Sequence, residues 1–93
     1  MKQDIEKAVR EFVIRNFLFE ENGNLTTETS FLDNGIIDST GVLELITFIE
    51  ETYGIKFENH EVVPEHLDSI QNIASFVERK LATTLNVHYA LAN

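Results

Sequence analysis

At 93 residues the chain makes one domain with a modest core and little room for a catalytic cleft. Its 43% hydrophobic and 10% aromatic residues are enough to fold it, so the net charge of -9 does not signal disorder, and the same charge argues against nucleic-acid partners. With no cysteine, disulfides and thiolate metal sites are excluded, and any thiol chemistry needs a thiol supplied by a cofactor.

Met1-Lys2-Gln3-Asp4 opens directly into a charged helix, with no apolar signal core and no run long enough to cross a membrane. A cytoplasmic location and no membrane partner are expected. The first helix is predicted over Gln3 to Leu18, because Ile5, Ala8, Val9, Phe12, Val13 and Phe17 fall on one stripe and Lys2, Glu6, Arg10 and Glu11 fall off it. Asn22-Gly23-Asn24 ends that pattern. The connection onward to Asp38 is longer than an ordinary helix-to-helix loop and must be pinned. Leu25, Phe31, Leu32, Ile36 and Ile37 are predicted to turn inward for that purpose, with a tight turn at Asn34-Gly35.

The second helix is predicted over Thr40 to Tyr53, with Val42, Leu45, Ile46 and Ile49 on one face and Gly54 at the left-handed position that ends it. Asp38 is its expected N-cap, which makes Ser39 the first helical residue. Ile55-Lys56-Phe57 reads as loop. Pro64 suits the first turn of a short third helix over Glu65 to Leu67. Asp68-Ser69-Ile70-Gln71 resembles a capping box, with Asp68 as cap, opening a fourth helix to about Ala82 that buries Ile70, Ile73, Ala74, Val77 and Leu81. Leu45 and Ile73 are expected to meet in the interior. For Thr83 to Asn93 the sequence leaves three arrangements open: packed on the bundle, paired with another chain, or disordered. The fold class is therefore all-α, a small four-helix bundle of three long helices and one short, with a long first loop; residues 1-82 are its folded domain and 83-93 a tail.

Chemistry concentrates at one point. Ser39 sits where a loop becomes an amphipathic helix, and a phosphate esterified there would meet the end of the helix that favours negative charge. Between Asn16 and Ile55 there is no lysine or arginine, while Glu20, Glu21, Glu28, Asp33, Asp38, Glu44, Glu50 and Glu51 all fall there. Such a field speeds encounter with basic partners. Other sites read as ordinary structure. His60, His66 and His88 lack the spacing of a helical zinc site and read as scattered surface residues. Gly23, Gly35, Gly41 and Gly54 are too dispersed for a phosphate loop. Glu50 and Glu51 diverge on the helix and make no acid-base pair. Neither a histidine base nor an oxyanion hole accompanies Ser39, so it is not read as a hydrolytic nucleophile. Ser69 also sits at a helix start, but its neighbours give it a capping role.

The block Gly35-Ile36-Ile37-Asp38-Ser39, followed by Leu43-Glu44-Leu45 and Ile49-Glu50-Glu51-Thr52-Tyr53-Gly54-Ile55, resembles the acyl carrier and peptidyl carrier proteins. The likeness covers roughly Ile5 to Leu81, and Leu67 to Ile73 looks like the family's entry into its last helix. In that family the motif serine carries 4'-phosphopantetheine. The resemblance therefore implies attachment at Ser39 by a phosphopantetheinyl transferase, with Asp38 capping the helix and assisting the metal-dependent transfer. It implies a monomeric, non-catalytic platform that holds thioester intermediates, with an acyl- or aminoacyl-loading ligase and downstream acyl-processing enzymes as partners. Glu44, Glu50 and Glu51 would meet basic partner surfaces, and Thr40, Val42, Leu43 and Ile46 would lie near the apolar contact or acyl-binding side.

Some residues depart from the family's commonest pattern. Thr40 stands where many carriers have leucine, Phe48 is bulkier than the usual small residue, and Gly41 weakens the first turn by up to about 1 kcal/mol relative to alanine. These departures point away from fatty-acid housekeeping and a large acyl-sequestering cavity, toward a specialised metabolite, peptide or surface-glycan pathway. The alternative is an unmodified acidic helical adaptor that binds a basic protein through the same second helix.

Overall fold

The structure, a computed structural model, describes residues 1–18 and 25–92, with only the backbone for residues 84–92. Those residues form an all-helical fold with no strand among them. The helices are α1 (Lys2–Val13), α2 (Ser39–Tyr53), α3 (Pro64–Leu67) and α4 (Ile70–Ala92), with a π-helical turn at Ile14–Leu18 and a 3-10 turn at Asn59–Glu61. The expected four-helix bundle with one short helix and a long first loop is what forms. Asn22-Gly23-Asn24, Glu20 and Glu21 lie outside the described residues, as does Asn93.

The helical periodicities translate into one core. Ile5, Val9 and Val13 of α1, Leu45 and Ile49 of α2, and Ile70, Ile73, Ala74 and Val77 of α4 are all buried in a single cluster, so Leu45 and Ile73 belong to the same interior. Helix α4 packs against both α1 and α3. The first helix differs from its predicted form over its last turn, which widens at Ile14–Leu18. A π turn holds more residues than an α turn and so rotates the side chains beyond it around the axis. Here Phe17 meets Phe12 edge-on, at 6.0 Å between ring centres, while Phe12 stacks on Phe48 at 4.2 Å. Phe48 is thus accounted for as the partner of an aromatic on α1.

The long connection is pinned largely as expected, with one exception. Leu25, Phe31 and Ile37 are buried and Ile36 is half-buried, but Leu32 is 47% exposed. The tight turn explains the reversal. Gly35 takes φ +65°, and the amides of Ile36 and Ile37 both return to the carbonyl of Phe31, so the chain folds back on itself with Leu32 at its outer edge. Arg10 adds a strut by donating to the carbonyl of Leu25 at 2.7 Å.

At the start of α4 the expected capping role of Ser69 is borne out and that of Asp68 is not. Ser69, not Asp68, caps the helix: its hydroxyl accepts from the amide of Asn72 at 3.1 Å. The carboxylate of Asp68 turns instead to the long loop, accepting from the Ser30 hydroxyl and from the Leu32 amide. Gln71 makes no box side-chain contact with Asp68 but donates its backbone amide to the carbonyl of Thr27 at 2.8 Å. The other end of α4 also departs from expectation. The helix runs on to Ala92 and does not stop near Ala82, because nothing from Thr83 onward is a glycine or proline that would break it.

Tertiary contacts hold the segment between α2 and α4 in place of a longer helix. Gly54 adopts φ +70° and ends α2 as predicted. Ile55 is buried, and Phe57 stacks near Phe76 of α4 at 5.1 Å. His66 corrects the picture of scattered surface histidines: it is half-buried, lies flat on Phe76 at 4.4 Å, and its Nδ1 bonds the carbonyl of Glu61 at 2.8 Å. Glu61 pairs with Lys80 at 2.6 Å, with side-chain exposures of 15% and 23%. Burial acts to raise the Glu61 carboxyl, but the Lys80 hydrogen bond, the Glu58 amide and the charges of Lys80 and His60 outweigh it and hold it below its ordinary 4.5.

Truncating Leu45 or Ile73 to alanine should lower stability by about 2 to 5 kcal/mol. Thermal denaturation checks this, and a midpoint within a degree or two of wild type would contradict the packing. The depressed Glu61 carboxyl contributes stability that is present above its unfolded value and lost as pH falls through the folded one. The stability gap between wild type and Lys80→Met, read from urea midpoints, should therefore shrink between pH 7 and pH 3.

Candidate functional site

The start of α2 is built from the backbone outward. Asp38 holds an extended conformation, and its Oδ1 accepts from the amide of Gly41 at 2.8 Å while its carbonyl accepts from Val42 at 3.0 Å. This is the predicted N-cap. Ser39 comes next as the first helical residue, with both Asp38 and Ser39 exposed. Two residues earlier Ile37 is 2% exposed. The chain therefore leaves the core and presents a hydroxyl to solvent within a single step of the helix.

Gly41 is the residue that lets this happen. A β-carbon placed on it would lie 2.8 Å from the Phe17 ring and 2.9 Å from Cγ2 of Ile37. By helix propensity alone Gly41 is a weak point of the first turn. Packing assigns it a different role, since the backbone of α2 rests directly on side chains from the π turn and from the loop.

Beside Ser39 lies a cleft of about 280 Å³. The loop supplies Phe31, Leu32 and Ile37; α2 supplies Ser39, Val42 and Leu43; the far wall is Val62, Val63, Pro64 and Leu67, with Asp68 at the base of the loop. Its rim is apolar and open to water, with Leu43 64% exposed and Val62 40% exposed beside Leu32. Sequence reasoning passes over Val62 and Val63 as part of this wall, although apolar residues running into Pro64 and a short helix are a signal for it.

The residues singled out for partner contact divide into three groups. Thr40, Leu43, Glu44 and Glu51 are exposed on α2. Val42 and Ile46 are half-buried and pack on the core, with Val42 also reaching the cleft. Glu50 is engaged within the chain, because its Oε2 accepts from the amide of Phe57 at 2.8 Å and fastens the loop after α2. Ser69, the other serine at a helix start, is 6% exposed and committed to its cap.

Comparisons with known proteins find carrier proteins among the chain's relatives. The D-alanyl carrier protein of Abiotrophia defectiva is 30% identical over 50 residues, a match spanning 54% of this chain and 63% of the relative. The probable acyl carrier protein PigG of a Serratia species is 21% identical over 75 residues, 81% of this chain and 86% of that one. These relatives support the carrier-protein family. No family model matches the chain. Among solved structures, a chain from a crystal structure of an FAD-dependent dehydrogenase superposes with a TM-score of 0.67 at 29% identity, covering 74% of this chain and 97% of that one. No helix among the described residues is long and apolar enough to cross a membrane.

Replacing Gly41 with alanine tests the close approach. Helix propensity alone would stabilise α2 by up to about 1 kcal/mol, whereas overpacking costs typically about 1 to 3 kcal/mol. The variant should melt below wild type, and a higher midpoint would show that Phe17 and Ile37 yield freely.

Proposed function

We propose that the chain is an acyl or aminoacyl carrier protein, with Ser39 as the attachment point for 4'-phosphopantetheine and residues 1-82 as the carrier unit. The observation that carries this reading is an exposed serine at a capped helix start, on the wall of an apolar cleft. Relatives named as carrier proteins support it. A phosphopantetheinyl transferase would move the phosphopantetheinyl group from coenzyme A to the Ser39 hydroxyl, breaking the donor's phosphoanhydride bond and releasing adenosine 3',5'-bisphosphate and the hydroxyl proton. The arm would supply the terminal thiol on which an acyl or aminoacyl group is held as a thioester.

The chain's own residues orient and expose. Asp38 fixes the first turn, so the Ser39 side chain projects from the positive end of the α2 dipole, a favourable place for a phosphodiester. Val42, Leu43 and Val62 line an apolar surface beside that point, suited to the carried group or to an apolar feature of a partner. Glu44 and Glu51 stand in solvent along the same helix, where they would meet basic surfaces of the transferase, the loading ligase and the acyl-processing enzymes, while exposed Thr40 would lie near the apolar contact. The role is that of a platform and not of a catalyst: a tethered intermediate is presented to successive active sites at high effective concentration. A relative named as a D-alanyl carrier protein is in keeping with a specialised pathway as the chain's setting.

Incubation with coenzyme A and a broad-specificity transferase should add one arm to the wild type and none to Ser39→Ala, as read by intact-mass spectrometry. An arm on any other residue, or none with any transferase, would overturn the reading and leave the acidic adaptor in its place.

A further inference from the structure

Asp68 stands at the foot of α4, 29 residues after Ser39, yet its carboxylate is spent on the loop that leads to Ser39. One oxygen accepts from the Ser30 hydroxyl and the other from the Leu32 amide at 2.9 Å. The Asp68 carbonyl takes a third loop group, the Phe31 amide, also at 2.9 Å. Ser30 in turn organises the stretch of chain beyond it. Its Oγ accepts from the Asp33 amide at 3.1 Å, and its carbonyl accepts from the Asn34 side chain at 2.7 Å. From there the loop closes through Ile36 and Ile37 onto the Phe31 carbonyl and passes directly into the Asp38 cap. Asp68 and Ser39 both line the cleft that this loop borders.

We propose that Asp68 is a positioning residue for the modification of Ser39, a role that rests on the carrier reading above. Its carboxylate holds residues 30–38 in the one arrangement that presents the Ser39 hydroxyl and the cleft rim together. The loop has no helix or strand of its own, so its conformation depends on such anchors. Hydrogen bonds to a charged acceptor are among the stronger ones available to it. With the anchor removed the loop samples other conformations, and only the presenting fraction is a substrate. The apparent affinity of an enzyme for the chain then falls by that fraction, while turnover from the bound, reordered state is unchanged. The helices do not share this dependence. α4 keeps its own cap at Ser69, and the backbone bonds of residue 68 to Pro64 and Phe31 survive any side-chain change.

The test is transferase kinetics with the full chain as variable substrate, for wild type, Asp68→Ala and Asp68→Asn. Asp68→Ala should raise KM for the chain roughly tenfold with kcat within about twofold. Asp68→Asn should restore KM to near wild type, since its amide can accept from the Leu32 amide and donate to Ser30 Oγ without the charge. Hydrogen exchange at the Leu32 amide should accelerate in Asp68→Ala and not in Asp68→Asn, with the Leu45 and Ile73 amides unchanged in both. Equal KM in wild type and Asp68→Ala overturns the positioning role, even where thermal stability has dropped. So does an Asp68→Asn variant as impaired as the alanine, which would make charge the operative property. A wild-type chain that accepts no arm overturns the carrier reading and the positioning role with it.

Discussion

The structure depends on holding residues 25–38, the stretch that leads into α2, in place without a helix or strand of their own. Its backbone groups are satisfied by turns within the loop and by residues 68 and 71 across the fold, while Leu25, Phe31 and Ile37 are buried in the core. Phe31, only 1% exposed, is the keystone: its side chain sits in the core, its amide is bound to the Asp68 carbonyl, and its own carbonyl receives two amides from the far end of the turn. Ile37 buries the other end. Between these two anchors the chain reverses through Gly35, and the exit into α2 is set by where Ile37 comes to rest.

From that anchor the properties of Ser39 emerge step by step. With Ile37 buried, the start of α2 lies so close to Phe17 that a β-carbon on Gly41 would press on both side chains. An extended Asp38 then bridges the buried and helical segments, and its carboxylate closes the first turn by capping the amide of that same glycine. The serine beside it is exposed and stands in water. Exposure of the hydroxyl is therefore a product of core packing on either side of it.

The helix faces and the Asp38 cap are legible in the sequence because both are local: a period of 3.6 residues and a carboxylate just before the first helical turn need no distant partner. The features that escape it depend on residues far apart. Gly41 reads as a weak helix former until Phe17, from another element, is seen against it. Asp68 and Ser69 are equally good caps by local chemistry, and the choice between them is made by Ser30 and Leu32 across the fold. Leu32 obeys no period, so its outward turn comes only from the geometry of the Gly35 reversal. The end of α4 is hidden for another reason. Leu85, Val87, Tyr89 and Leu91 alternate with more polar residues and so lack a helical stripe, although no glycine or proline after Thr83 breaks a helix.

The two surface properties around Ser39 act at different ranges and so do different things. Rim charges act mainly on the rate of encounter, within a screening length of about 8 Å at physiological salt, so in the proposed role exposed Glu44 and Glu51 would influence approach and orientation more than the lifetime of a contact. Leu32, Leu43 and Val62 act only on touching, through the removal of apolar surface from water at roughly 25 cal/mol per Å². Differences among related complexes lie mostly in how slowly they separate. A partner steered by the acidic helix would therefore dwell according to how well it covers the apolar rim, and Leu43, the most exposed of the three, sits between the acidic face and the cleft where both effects meet. Under the proposed role, partners that share a basic surface would arrive alike and be sorted by the shape of what they place in the cleft.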